Sequence, residues 1–66
     1  MENWVCVYSS PLLHQSEMIK SLLNDEEIEA VIVNKQDSLY IIGEIEVHVA
    51  ADDVIKALQI INKSGL

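Results

Sequence analysis

Cys6, Glu46 and His48 are the residues of this chain best equipped for chemistry. A thiol, an imidazole and a carboxylate are the parts of a nucleophile, its base and the group that orients the base. Glu46 and His48 are two residues apart, so in a strand they leave the same face. Two requirements of such a triad are nevertheless unmet. No spacing implies an oxyanion donor or a cleft, and a flat sheet face excludes no water. The same residue types, joined by His14, are also metal ligands. They offer no local pair such as C-x-x-C or H-x-x-x-H, and His14 falls on a helix expected to cover the opposite face. The acidic run Asp25-Glu26-Glu27 with Glu29 lacks the alternating oxygen ligands and the glycine of a calcium loop, and reads as a solvated turn. The expectation is a non-enzymatic chain with no catalytic residue, no metal and no cofactor.

A second group lies in the polar segment Asn34-Lys35-Gln36-Asp37-Ser38 and the apolar run Leu39-Tyr40-Ile41-Ile42 that follows it. The segment is long for a hairpin connection, and long loops in compact domains are often functional. Asn34, Lys35, Asp37 and Ser38 offer polar contacts and Tyr40 an aromatic one to a ligand or partner. The competing reading has Leu39 to Ile42 packing back on the core or extending the next strand.

The elements that position these groups follow from side-chain periodicity. Asn3 to Tyr8 is rich in β-branched and aromatic residues and reads as a first strand. Ser10 suits a helix N-cap and Pro11 a first helical position, so a helix is expected from Pro11 to Asp25. Its apolar stripe comprises Leu12, Gln15, Met18, Ile19, Leu22 and Leu23. Acids at a helix C-terminus oppose its dipole, which stops this helix within Asn24 to Glu27. Ile28 to Val33 reads as a second strand, covered on one face and partly on the other. Gly43 to Val49 alternates strictly and reads as a third, with Ile45, Val47 and Val49 turned inward. Asp52 and Asp53 then open a second helix, whose stripe is Val54, Ile55, Ala57, Leu58 and Ile61. Gly65 suits the C′ position.

The order β-α-β-β-α implies a hairpin of strands two and three, with strand one brought in by a right-handed helical crossover. The expected class is α+β: a ferredoxin-like arrangement, a three-stranded antiparallel sheet in order 1-3-2 with two helices on one face, lacking a fourth strand. Strict alternation then puts Val5 and Val7 beneath the helices and Trp4, Cys6, Tyr8, Glu44, Glu46 and His48 on the open face. That face is unusually aromatic for one left in water, and strand one is an unprotected edge. Self-association through the open face or the strand-one edge is expected, with Trp4, Cys6, Tyr8, Glu46 and His48 as its residues.

Composition sets further bounds. Sixty-six residues make one domain, residues 1–66, and one cysteine excludes an internal disulfide. Net charge is −7, with eleven acids against four scattered lysines and no arginine. Nucleic acid and anionic membrane surfaces need basic clusters, so neither is expected as a partner. No apolar run approaches the roughly 20 residues of a membrane span. A strand beginning within three residues leaves no room for a signal peptide, and one free thiol suits the reducing cytoplasm.

Nearly the whole chain resembles a small bacterial domain of unknown function, the family described as "putative prokaryotic signal transducing protein". The resemblance runs through Trp4-Val5-Cys6-Val7-Tyr8, Glu17 to Leu23, Ile28 to Ser38 and Gly43 to Val49. The Asn-Lys-Gln-Asp-Ser loop is its most specific part. It implies a fold similar to PII-like regulatory domains, and a regulatory or binding role toward an unidentified protein or small molecule. One position departs from the family. Where the family usually has Gly, just before the second strand, this chain has Glu27. Either Glu27 adopts a positive φ at a steric cost, or the turn is built differently, with Asn24 in the left-handed position. The functional expectation is a signal-transducing, self-associating module; the alternative is a purely structural assembly module without a ligand.

Overall fold

The computed structural model describes residues 3–36 and 43–65. Its elements run β1 (Trp4–Ser10), α1 (Leu13–Asp25), β2 (Ala30–Asn34), β3 (Ile45–Ala50), a 3₁₀ turn (Ala51–Asp53) and α2 (Val54–Ser64). The three strands form one sheet in the order β1-β3-β2, both pairings antiparallel. This is the β-α-β-β-α, ferredoxin-like arrangement that the periodicity predicts.

The core lies between the sheet and the helices. Val47 and Val49 of β3 and Ala30 of β2 meet Ile19 and Leu23 of α1 and Ala57 and Ile61 of α2. These strand residues share one parity, so both helices cover one face. Only a narrow stripe of each helix is buried: Ser16, Ile19 and Leu23 on α1, Ala57 and Ile61 on α2. Leu12, Met18, Ile55 and Leu58, expected within the stripes, are exposed instead. A three-stranded sheet is too narrow to receive a wider face from two helices.

The first strand ends two residues later than its pattern suggests, at Ser10, and the first helix begins later, at Leu13. Ser10 stays in the ladder opposite Ile45. Its buried hydroxyl donates to Gln15 Oε1 at 2.8 Å and accepts the Leu12 amide at 3.1 Å, so Ser10 is a strand residue that closes the turn into α1. Ser16, fully buried, donates to the Ile45 carbonyl at 2.9 Å and fastens α1 to the central strand.

The end of α1 settles the Glu27 question. The Ile28 amide reaches the Leu23 carbonyl and the Glu27 amide the Asn24 carbonyl, the paired bonds of a Schellman motif. Glu27 occupies its left-handed position at φ 64°, and Ile28 joins Leu23 in the core. The second strand therefore starts at Ala30, because Ile28 completes the helix cap. At the far end of the chain Gly65 caps α2 with φ 78°, as expected.

Candidate functional site

A shift in register decides what the open face carries. From Trp4 to Cys6, β1 pairs regularly with Ala50 to His48; beyond a bulge between Cys6 and Tyr8, Tyr8 pairs with Val47 and Ser9 with Glu46. A bulge adds one residue and so inverts the alternation after it. Tyr8 therefore lies on the helix side, packed against the core, with its hydroxyl 3.4 Å from Gln15 Oε1. Strict alternation placed it on the open face; the bulge removes it, and no composition signal marks that extra residue.

The other expected residues do come together. Cys6 stands directly opposite His48 on β1, and Val31 stands opposite His48 on β2. Glu46 lies between Ser9 and Val33 in the same way, and Trp4 faces Ala50. The imidazole is thus flanked by a thiol and an isopropyl group at the middle of the bare face. Both His48 and Glu46 are half-buried although no helix among the described residues covers them.

His48 Nε2 lies 2.8 Å from Glu46 Oε1. A carboxylate only accepts, so this nitrogen carries the proton. The other ring nitrogen, Nδ1, is buried and has no hydrogen-bond partner among the described residues. Lys35 Nζ reaches the same Glu46 oxygen at 3.2 Å. The hydrogen bond from His48, followed by that from Lys35, holds the Glu46 carboxyl below its ordinary value of 4.5. The Cys6 thiol is exposed and donates to the Tyr8 carbonyl across the bulge at 3.4 Å.

The two groups that the sequence presents separately meet at Glu46. Lys35, the second residue of the polar loop, turns its side chain onto the sheet face, and its amide donates to the Glu44 carbonyl. Lys35 ends the ladder one step beyond Asn34; a basic residue at that place is the signal that pairs it with a β3 acid. Asn34 Oδ1 accepts the Gln36 amide at 2.9 Å, a local turn that occupies its side chain. Asp37, Ser38 and Tyr40 lie outside the described residues. His14 is exposed on α1, on the opposite side of the sheet, and joins neither Cys6 nor His48. It lines a shallow groove along α1 with Glu17, Met18 and Leu22.

Among the described residues the chain forms a small α+β domain whose two helices cover one face of the sheet. The chain belongs to the family described as "putative prokaryotic signal transducing protein", whose model matches residues 4–65. No curated protein and no solved structure matches it. The family is described by signalling and not by a reaction. No helix among the described residues is long and apolar enough to cross a membrane.

Proposed function

We propose that this chain is a non-enzymatic signal-transducing module that acts by protein association, and that it pairs with a second copy of itself along the β1 edge. One observation carries this reading. On β1, an edge strand among the described residues, and on α2, which packs against it, large apolar side chains stay in water: Val5 is 39%, Leu58 47% and Ile55 75% exposed. A further strand paired to Trp4–Cys6 would cover this margin. The bulge after Cys6 restricts regular pairing to that short stretch, so the helix residues supply most of the buried area. The exposed thiol of Cys6 suits a reducing compartment such as the cytoplasm. Lys35 and the loop beyond it supply the contact for a different protein or a small metabolite at the other margin of the sheet.

Sedimentation at tens of micromolar tests the reading. The wild-type chain should form dimers, and Ile55→Lys should be monomeric with unchanged thermal stability, since that side chain contributes little to the fold. Trp4, the single tryptophan, lies on the same edge strand, so its emission should shift to the blue on association. A monomeric wild-type chain would overturn the proposal. Dissociation by Val33→Lys but not by Ile55→Lys would move the interface to the open face.

A further inference from the structure

The open sheet face holds an arrangement that interface packing does not require. Cys6 Sγ, a ring nitrogen of His48 and a carboxylate oxygen of Glu46 all lie within 4.8 Å of one another. They come from two neighbouring strands, and the ladder itself fixes the spacing, because Cys6 and His48 are directly paired and Glu46 is the next residue on the same face of β3. We propose that these three residues form a binding site for a divalent transition-metal ion of the zinc type.

The donor set argues for the class of ion. A thiolate and an imidazole are soft or borderline ligands, and a single carboxylate beside them fits zinc or cobalt far better than calcium or magnesium, which need six or more oxygens. Ligand bonds of about 2.0–2.3 Å put the donor atoms of a four-coordinate site roughly 3–4 Å apart. Small side-chain rotations would bring the three donors to that spacing, and a water would fill the fourth position.

His48 Nε2 and Glu46 Oε1 lie 2.8 Å apart, so an ion bound by both takes the place of the proton between them. That proton passes to His48 Nδ1, which has no hydrogen-bond partner among the described residues. Lys35 is the cation that now neutralises Glu46, and its exposed, flexible chain can withdraw when an ion takes over that role. Binding converts the Cys6 thiol to a thiolate, releases its proton to solvent and breaks its bond to the Tyr8 carbonyl. No oxidation or reduction is involved.

Cobalt(II) is the probe, because a cobalt–thiolate bond gives a charge-transfer band in the near ultraviolet that nitrogen and oxygen ligands do not. Titrating the reduced chain should raise this band to saturation at one ion per chain, and excess zinc should abolish it. Cys6→Ser should lose the band entirely, His48→Gln and Glu46→Gln should weaken binding at least tenfold, and His14→Ala should bind as wild type. A measurement on the unaltered chain guards against misfolded variants: zinc should protect Cys6 from alkylation. The proposal is overturned if no charge-transfer band appears, if zinc leaves alkylation unchanged, or if saturation falls at half an ion per chain. None of these readouts depends on whether the chain associates through β1.

Discussion

The Ile28 amide donates to the Leu23 carbonyl at 2.9 Å, and closing that bond forces Glu27, between them, into the left-handed region at φ 64°. Both residues that make the bond are buried, so the cap cannot relax without opening the core. A side chain in this conformation costs about 1–2 kcal/mol, of which the entropy of a flexible glycine would cancel a part. Glu27→Gly is therefore expected to stabilise the fold by about 0.5–1 kcal/mol. In a domain of this size that raises the melting temperature by several degrees. Urea unfolding should show a higher midpoint at constant slope. Glu27→Gln separates charge from conformation: it should give only a small part of the gain. Equal gains from both substitutions would show that the acidic end of α1, and not the backbone, carries the effect.

Gly43 presents the opposite case. It has φ 105°, and a Cβ built on it would lie 2.5 Å from the Lys35 carbonyl oxygen, a backbone atom with nowhere to go. Gly43→Ala should cost at least about 2 kcal/mol through strain and clash together. Because Lys35 also holds Glu46, the loss should extend to the open face. Chemical denaturation measures the first effect, and the His48 ring resonances in an NMR spectrum report the second. A variant as stable as wild type would mean that the β2–β3 connection can move away from Lys35.

Ser16 tests the other attachment of helix to sheet. Its hydroxyl and the Ile45 carbonyl are paired where water does not reach. Ser16→Ala should destabilise by about 1–2 kcal/mol, because the carbonyl loses a partner that solvent cannot replace. The thermal transition should fall while the circular dichroism of the native state stays the same. A neutral result would mean that the sheet ladder already satisfies Ile45.

The sequence carries most of this architecture. Alternation in Gly43 to Val49 identifies β3 and its inner residues, and the order β-α-β-β-α with a right-handed crossover leaves one sensible sheet. Strand parity also puts Cys6, Glu46 and His48 on a common face. What it cannot carry depends on single insertions and widths. The bulge after Cys6 is one unpaired residue, and it alone moves Tyr8 to the core. The exposure of Ile55 and Leu58 follows from how little sheet lies beneath α2, a tertiary property that helical periodicity does not encode. Lys35 reaches Glu46 because the β2–β3 ladder runs one residue past Asn34, and that register becomes visible only once the strands are paired.

That Lys35–Glu46–His48 contact makes the open face sensitive to acid. The Glu46 carboxyl is held below its ordinary value first by the hydrogen bond from His48 and then by Lys35, so the fold favours its ionised form. The sign follows directly. A carboxyl that is more acidic in the folded than in the unfolded chain adds stability above its unfolded value, here 4.5, and loses it as pH falls below that value and through the lower folded one. Wild type should thus be more stable than Glu46→Gln at neutral pH. The gap between them should shrink as pH falls below about 4.5 and close below the lower folded value, where both carry a neutral side chain. High salt should narrow the same gap at neutral pH, since Lys35 is exposed and its attraction is screened. Melting temperatures of the two proteins across that range provide the check. A gap that stays constant into acid would mean that the hydrogen bonds at Glu46 survive its protonation and that its charge adds nothing to the face.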